Sequence, residues 1–275
     1  MNRALLQPLG RWVARHRRSW LVRRLAGLSR HVLDWQANLD YELASNGEAL
    51  VLQRLAPFAP QLIVDGGANV GDWSLAAHSH CPQAQLHAFE IARPTFETLR
   101  ARVAGHPRIQ VHNLGLSDAP GTLTLQHYAQ APALTTATAY PHPFEAQALQ
   151  ADVVRGDDFL MALGVQHIDL LKIDVEGMED QVLRGFDRLL QNRAVDLLQF
   201  EYGRVNILSH FLLADFHHFF RERGYRVGKL YPDGVEWRDY SLADEDFRGP
   251  NYLACRDDRP DLMQALAAPG ISTGP

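Results

Sequence analysis

Short apolar runs, each closed by a polar residue, recur along this 275-residue chain and alternate with segments of helical pattern. Such alternation indicates a parallel sheet with helices on both faces. The predicted strands of this series are Leu62–Asp65, Gln85–Glu90, Ile109–Asn113, Leu170–Asp174 and Leu197–Glu201. Ligands of open α/β sheets bind beyond the carboxyl ends of the strands, so the residues that close these runs are the first candidates for a site.

The remaining segments extend the same domain. A hairpin is predicted at Gly121–Tyr128, and the Ala/Thr/Pro-rich stretch Ala129–His142 behind it is a natural place for a lid. A helix is expected from about Ser209 to Arg223, followed by an antiparallel pair of strands, Tyr225–Tyr231 and Asn251–Cys255. The predicted division is a helical segment over 1–45, a main domain over 46–260 with an insertion at about 121–150, and a tail over 261–275.

The amino-acid composition constrains the class of the protein and its redox environment. Apolar residues make up 46% of the chain and charged residues 21%, which is enough to bury a sizeable core. The two cysteines, Cys81 and Cys255, build neither a disulfide framework nor a cysteine metal site, so we expect a reduced, cytoplasmic setting. No apolar run reaches the roughly 18 residues that a membrane-spanning helix needs, and we therefore predict a soluble protein.

Positive charge is concentrated at the start of the chain. Residues 1–33 hold eight arginines and no acid, which leaves 19 of the 27 basic residues against 32 acidic ones, a net charge of -13 for the remainder. A helix is predicted to run to about Asn38, with one apolar stripe made by Leu21, Leu25, Leu28, Val32 and Trp35. Three roles stay open for residues 1–35: packing on the main domain, lying on an anionic membrane surface or glycolipid, or contacting a partner protein. Nucleic acid is disfavoured because the main domain is acidic.

The glycine-rich segment after the first strand is the strongest local signal. It reads Asp65-Gly66-Gly67-Ala68-Asn69-Val70-Gly71-Asp72-Trp73-Ser74. Glycines permit a tight turn and a close backbone approach to a ligand, and a turn without a ligand is the alternative. The carboxylate of Asp65 suits a cationic amino group better than a pyrophosphate. A nicotinamide-dependent oxidoreductase is therefore disfavoured, and the spacing of Gly67 and Gly71 also departs from GxGxxG.

Two further strand ends carry groups suited to a nucleoside. Glu90 closes the second strand, where a carboxylate can accept hydrogen bonds from both hydroxyls of a ribose. Asn113 closes the third strand and could reach an adenine edge, while a simple Asx turn is equally compatible with the local sequence.

The densest acidic cluster follows the fourth strand. Strand alternation places Lys172, Asp174 and Glu176 on one side, and Glu201 at the end of the next strand could approach Asp174. Such carboxylates could hold a divalent cation or act as a general base on a hydroxyl. A solvated loop leading into an acidic first helical turn is the alternative.

Five ordered motifs resemble those of the FkbM family of S-adenosylmethionine-dependent methyltransferases. They are Asp65–Gly71, Phe89-Glu90 with Arg93-Pro94, Asn113–Asp118 with Gly121, Leu171–Gly177, and Val182–Gly185. The resemblance implies an α/β, Rossmann-like class I methyltransferase fold with a seven-stranded, mostly parallel sheet and an antiparallel last strand; this chain adds an N-terminal helical extension. It also implies O-methylation of a small-molecule or glycan hydroxyl, on a sugar, glycolipid or secondary metabolite.

The resemblance assigns residues as well. The set that it implies for S-adenosylmethionine is Asp65, Gly66, Gly67, Asn69, Gly71, Ser74, Glu90, Asn113, Leu114 and Asp174. Within it, the glycine-rich turn would surround the methionine part, Glu90 would bind the ribose, and Asn113 and Leu114 would flank the adenine. Catalysis would fall to Asp174, Glu176, Glu201 and Lys172, directly or with a divalent cation such as magnesium held by Asp174 and Glu201.

Some assignments stay open. Asn46 and Glu48 either close over the cofactor or begin a helix, and His127, His142 and His167 are candidate bases near neutral pH. The alternative outside catalysis is an interaction module that keeps the fold and docks through its arginine-rich helix, although the intact acidic set argues against it. The sequence leaves the oligomeric state open.

Overall fold

The structure, a computed structural model, describes residues 3–131, 135–137 and 143–270. The strands are β1 Leu62–Gly66, β2 Gln85–Phe89, β3 Ile109–His112, β4 Gly115–Ser117, β5 Gly121–His127, β6 Gln147–Arg155, β7 Ile168–Ile173, β8 Val195–Glu201, β9 Tyr225–Tyr231, β10 Gly234–Trp237 and β11 Asn251–Arg256. The helices are α1 Arg3–Arg15, α2 Trp20–Gln36, α3 Glu48–Leu55, α4 Asp72–His80, α5 Arg93–Val103, α6 Gly156–Ala162, α7 Glu179–Gly185, α8 Asp187–Gln191, α9 Asn206–Ser209, α10 Leu213–Arg221 and α11 Pro260–Leu266.

The main sheet has the order β10-β9-β11-β8-β7-β1-β2-β3. Strands β3, β2, β1, β7 and β8 run parallel, and β11 is antiparallel to both β8 and β9. This is the predicted Rossmann-like α/β architecture with its antiparallel last strand. The sheet has eight strands rather than seven, because the turn at Pro232-Asp233 returns the chain as β10 along β9.

Helices cover both faces of this sheet. Neighbouring residues of one strand enter different cores: Leu197 packs with α3, α4, α5 and α11, whereas Leu198 packs with α6, α7, α8 and α10. The same division separates Leu170 from Leu171. Successive side chains of a strand point to opposite faces, so strands that are apolar throughout are buried on both sides.

A second sheet of order β4-β6-β5 stands beside the first. The hairpin predicted within Gly121–Tyr128 is wrong: β5 pairs antiparallel with β6, so the partner strand begins at Gln147 and lies beyond the insertion. Of the lid predicted at Ala129–His142, residues 132–134 and 138–142 lie outside the described residues, and His142 is among them. Thr135, Thr136 and Ala137 are described and contact the site discussed below.

The N-terminal segment forms two helices, not the single helix predicted up to about Asn38. The chain leaves α1 at Arg15, and Ser19 caps α2 by accepting a hydrogen bond from the backbone N–H of Val22. A serine oxygen satisfies a free N–H at a helix start, which favours a new helix at this point. The segment is attached near its end, where Asn38 Nδ2 donates to the carbonyl of Leu230 at 3.0 Å and Asp34 pairs with Arg248 at 3.2 Å.

Two predictions in the C-terminal part are corrected. The helix expected from about Ser209 to Arg223 begins only at Leu213, as α10, because His210 adopts a left-handed backbone with φ of 57° and ends the short helix α9 at Ser209. The tail predicted from residue 261 begins with α11, which buries Leu262, Met263 and Leu266. Trp237 Nε1 donates to the carbonyl of Met263 at 2.9 Å, so this helix belongs to the main domain.

In the parts of the chain that the structure describes, no helix combines the length and apolar character needed to cross a membrane.

Candidate active site

A cavity of about 290 Å³ lies beyond the carboxyl ends of β1, β2, β7 and β8. This is where the topology of an open α/β sheet places a ligand site. Three other parts of the chain also line the cavity: the segment around Tyr41 and Leu43, the second sheet with Leu116, Leu123 and Leu125, and Thr135–Ala137 of the insertion. The site therefore combines strand ends of the main sheet with the second sheet and two further segments.

The turn after β1 is held by contacts that its sequence explains. Asp65 is fully buried, and its Oδ2 accepts a hydrogen bond from Ser74 Oγ at 2.6 Å. Gly67 has a φ of 86°, and a Cβ at this position would lie 1.8 Å from the carbonyl oxygen of Asp174. Only glycine fits there, because a side chain would collide with the backbone of the turn after β7. Gly71 is the N-cap residue of α4, also in a left-handed conformation.

The residues predicted to bind the cofactor fall into two groups, those that line the cavity and those that lie behind its lining. Its members that line the cavity are Gly67, Asn69, Glu90, Leu114 and Asp174. The others lie behind the lining: Gly66 and Asp65 end the strand, Ser74 holds Asp65, and Gly71 opens α4. These residues shape and support the wall.

Glu90 lies directly after β2 and is almost fully buried. Its Oε2 accepts from the backbone N–H of Asn69 at 2.9 Å, and its Oε1 accepts from that of Ala92 at 2.7 Å. Burial raises the pKa of Glu90 to about 7, although both hydrogen bonds favour the charged form. Each carboxylate oxygen retains capacity for a further donor, as recognition of a diol requires.

Asn113 supports this loop. Its Nδ2 donates to the carbonyl oxygens of Glu90 at 2.9 Å and of Ile91 at 3.1 Å, and Asn113 is not among the lining residues. Its neighbour Leu114 is a lining residue. The structure therefore favours the turn-forming role for Asn113 and leaves Leu114 as the residue that contacts the cavity.

The acidic residues after β7 and β8 come together around one lysine. Lys172 Nζ lies 2.8 Å from Asp174 Oδ2 and 3.7 Å from Asp65 Oδ1. Carboxylate oxygens of Asp174, Glu176 and Glu201 all lie within 4.8 Å of one another. The predicted catalytic set is therefore one cluster.

Electrostatics in this cluster favour protonation. Burial, followed by repulsion from Asp174, raises the pKa of Glu176 to about 8 and the pKa of Glu201 well above its ordinary value. Burial disfavours the charge of Lys172, but Asp174 and Asp65 outweigh it and raise the pKa of this lysine. The lysine therefore stays charged while part of the carboxylate set holds protons near neutral pH.

Glu176 has a left-handed backbone, with φ of 52°. Its carbonyl oxygen accepts from Thr136 Oγ1 at 2.7 Å. Residues other than glycine seldom adopt this conformation without a compensating contact. The insertion thus holds the turn that presents the Glu176 carboxylate.

Asn46 and Glu48 lie at the start of α3 and at the cavity. Both line the cavity, and Asn46 Oδ1 also accepts from the backbone N–H of Glu48 at 3.0 Å at the start of α3. The Glu48 carboxylate accepts from Asn46 Nδ2 at 2.7 Å and from Gln199 Nε2 at 2.5 Å. It is an additional ordered acid of the site.

The candidate histidines lie elsewhere. His127 Nδ1 is 3.0 Å from Thr135 Oγ1, and His167 lies before β7, at the end of the sheet opposite to the cavity, 3.4 Å from Asp196. Neither of them lines the cavity.

Sequence reasoning missed several lining residues, among them Tyr41, Leu43, Trp73, Thr135, Thr136 and Met178. Trp73 lies in the glycine-rich segment already singled out, and Lys172 Nζ is 5.7 Å from the centre of its ring. Its position beside the glycine-rich turn was the one feature of the sequence that could have identified Trp73 as a lining residue. Thr136 lies in the segment predicted as a lid, although nothing in the sequence distinguished it from its neighbours there. Tyr41 lies in a segment without periodicity, and only the folded chain brings it to the site.

The lining is predominantly negative. Among the described residues around the cavity, Lys172 is the one basic side chain, and the acids are Glu48, Asp72, Glu90, Asp174, Glu176 and Glu201. A low-dielectric pocket with this excess attracts a cation and repels a phosphate. The charge therefore fits a cationic ligand better than a dinucleotide.

This fold and this site define a Rossmann-like enzyme of the methyltransferase class, and comparison with known proteins agrees. The model of the methyltransferase FkbM domain matches residues 65–227, more than half of the chain. The chain therefore belongs to the FkbM family of methyltransferases.

Individual relatives match the same region. Methyltransferase 1 of the fungus Beauveria bassiana is 35% identical over 167 residues, which are 52% of this chain and 67% of the relative. The 31-O-demethyl-FK506 methyltransferase FkbM of Streptomyces tacrolimicus is 30% identical over 155 residues, which are 46% of this chain and 59% of the relative. The chain thus spans about two thirds of the first relative's length and less of the second.

A solved structure, methyltransferase FkbM from Methylobacillus flagellatus KT, is similar with a TM-score of 0.46 and 17% identity, covering 70% of this chain and 43% of that one.

Proposed function

We propose that this protein is an S-adenosylmethionine-dependent O-methyltransferase that methylates a hydroxyl of a sugar, glycolipid or secondary metabolite. The observation that carries the proposal is the acidic cavity, in which Glu90 is fixed by two backbone amides and Lys172 is outnumbered by carboxylates. Family membership supplies the reaction class, and the charge of the cavity supplies the reason for this cofactor.

The residues fit S-adenosylmethionine on chemical grounds. The Glu90 carboxylate keeps acceptor capacity for the two ribose hydroxyls, and Leu114 offers an apolar contact to an adenine. The cofactor carries a sulfonium and an ammonium, which suit a lining with excess negative charge. When bound, it supplies an electrophilic methyl group.

The acidic cluster is placed to prepare the acceptor. A hydroxyl needs alignment with the methyl group and removal of its proton, and a general base works best when its pKa is close to the working pH. Burial and repulsion from Asp174 raise the pKa of Glu201 and of Glu176, the latter to about 8, so Glu176 can exchange a proton near neutral pH. We assign alignment of the acceptor to Asp174, held by Lys172 at 2.8 Å, and proton acceptance to Glu201 with Glu176, whose ionised forms the positive charge of a bound cofactor would favour.

The same three carboxylates offer a second arrangement. Oxygen atoms within 4.8 Å of one another are compatible with a divalent cation such as magnesium, which Asp174 and Glu201 would hold. Methyl transfer measured with magnesium and with a chelator distinguishes the two arrangements, because direct proton acceptance by the carboxylates does not require the ion.

The acceptor class follows from the family and from the walls of the cavity. One relative's name describes methyl transfer to 31-O-demethyl-FK506, an oxygen of a small molecule. In this chain Tyr41, Thr135 and Met178 supply apolar and hydroxyl-bearing surface to the lining, as a small organic acceptor would need. Both cysteines are free and buried, which suits the cytoplasmic setting that we propose.

Calorimetric titration tests the cofactor. We expect S-adenosylmethionine to bind in the micromolar range, NAD not to bind, and Glu90→Gln to weaken binding about ten- to hundredfold through loss of charged hydrogen bonds. Glu97→Gln, an acid on α5 that pairs with Arg100, is the matched control and should bind as the parent does. Binding of NAD in place of S-adenosylmethionine, or unchanged affinity in Glu90→Gln, would contradict the proposal.

A further inference from the structure

The two N-terminal helices present an apolar surface that nothing in the described chain covers. On α2, one face carries Leu21, Leu25, Leu28, Val32 and Trp35, all exposed, with Leu28 at 59% and Trp35 at 72%. These positions recur every three or four residues and so form a single stripe. Soluble proteins seldom leave a continuous stripe of this size in water without a partner.

The first helix repeats the pattern. Leu9, Trp12 and Val13 are exposed on one side of α1, while Arg11 and Arg15 project from the other. We call residues 3–36 the N-terminal arm. Two consecutive amphipathic helices with tryptophans at their apolar faces have the composition of interfacial helices.

The arginines of the arm are uncompensated. Among the described side chains, those from Arg11 to Arg30 form no ion pair with an acid, although Arg24 lies over the ring of Trp20. The first acid of the sequence, Asp34, pairs with Arg248 of the main domain. The remainder of the chain is strongly acidic, so an anionic surface attracts the arm and repels the rest.

We propose that the N-terminal arm docks the protein on an anionic lipid bilayer, with the leucine and tryptophan face in the interface and the arginines against the headgroups. A bilayer satisfies both faces of the helices, whereas a nucleic acid would engage the arginines and leave the leucines in water. The arm is attached to the main domain at Asn38, three residues before Tyr41 of the cavity wall. Docking therefore brings that wall close to the bilayer. The proposal does not depend on the reaction assigned to the cavity.

Tryptophan fluorescence of the full chain, titrated with vesicles, measures docking directly. Trp12, Trp20 and Trp35 are exposed in the arm, whereas Trp73 and Trp237 are already buried, so a blue shift reports the arm. Vesicles of phosphatidylcholine and phosphatidylglycerol at a ratio of about 7:3 should bind at least about tenfold more tightly than phosphatidylcholine alone, and added salt should weaken binding.

Two pairs of variants separate the apolar and charged contributions. Leu25→Asp with Leu28→Asp should abolish the shift, and Arg23→Gln with Arg30→Gln, which keeps good helix formers, should weaken binding about tenfold. The controls lie on the main domain. Leu242→Asp, at a leucine that is 82% exposed, is the control for the leucine variant, and Arg93→Gln with Arg100→Gln, at two exposed arginines, is the control for the arginine variant. Both controls should bind as the parent does.

Three results would overturn the proposal. The first is equal binding of the parent to anionic and neutral vesicles, and the second is unchanged binding of both arm variants. The third is a parent protein that forms a stable dimer while the variant with Leu25→Asp and Leu28→Asp is a monomer. The last, read by sedimentation equilibrium without lipid, would assign the arm to a second copy of the chain.

Discussion

Glu179 is a buried acid directly behind the acidic cluster. Its Oε1 accepts from the backbone N–H of Gly177 at 3.1 Å, while Oε2 has no hydrogen-bond partner among the described residues. Burial raises the pKa of Glu179 to about 7. The folded chain therefore holds this proton more tightly than the unfolded chain, and the associated stability is present at low pH and lost as the pH rises through about 7.

We predict that Glu179→Gln removes much of this pH dependence. Between pH of about 5.5 and 8.5, ionisation of Glu179 should lower the free energy of unfolding of the parent by roughly 2 kcal/mol, because ionisation of a buried carboxyl is costly. The amide variant cannot ionise at this position and should lose less. Urea denaturation at both pH values measures the difference. Glu97→Gln, a partly exposed acid, serves as control and should follow the parent. Parallel pH profiles for Glu179→Gln and the parent would exclude this residue as the source.

Individual site residues were predictable where position along a strand decides their location. Lys172, Asp174 and Glu201 stand at the carboxyl ends of adjacent parallel strands, and adjacency alone brings them together. The direction of a side chain was not predictable in the same way. Asn113 and Ser74 were predicted to contact the cofactor, but both donate hydrogen bonds within the protein. Asn113 donates to two backbone carbonyls, and Ser74 donates to the Asp65 carboxylate.

At the level of elements, strands were easier to predict than the ends of helices. Apolar runs closed by polar residues located five strands of the main sheet to within a residue or two. The breaks between α1 and α2 and between α9 and α10 depend on single residues, Ser19 and His210, whose caps and backbone angles leave no trace in hydrophobic periodicity. Helix α11 was predicted as tail because it is short and its partners lie far away in the sequence.

The packing of α11 yields a stability prediction. Leu262 is 1% exposed among residues of α3 and the main sheet, so Leu262→Ala should lower the free energy of unfolding by about 2–4 kcal/mol through lost contacts and a cavity. Urea denaturation measures this loss. Leu242→Ala, at a leucine that is 82% exposed, should stay within about 0.5 kcal/mol of the parent. A negligible effect of Leu262→Ala would mean that α11 detaches at little cost.

On the scale of the whole molecule, the candidate site exists only in the assembled chain. Its walls come from the segment before α3, four strand ends of the main sheet, strands β4 and β5 of the second sheet, and the insertion between β5 and β6. The sequence indicated the strand ends because parallel topology imposes a common edge. It also indicated the insertion, as a lid over Ala129–His142, but not which of its residues reach that edge. It did not indicate Tyr41, which arrives there through contacts between distant parts of the fold.

The assembled cluster predicts distinct effects for two of its acids. Glu201→Gln should lower turnover about 10²- to 10⁴-fold, because it removes the proposed proton acceptor, and its affinity for S-adenosylmethionine should change less than its turnover. Asp174→Asn should also lower turnover, because it loses the ion pair with Lys172 that holds the aligning carboxylate. Glu222→Gln, at an exposed acid on the surface, is the control. Parent-like turnover in both cluster variants would refute the catalytic assignment.

The close contact between Gly67 and the carbonyl of Asp174 has a consequence for redesign of this enzyme. The two turns touch backbone to backbone, so neither can be reshaped or displaced without the other, and they form one packed block. Libraries aimed at a new acceptor should therefore leave this block intact. Diversity belongs at Tyr41, Leu43 and Thr135–Ala137, which border the same cavity from outside the main sheet.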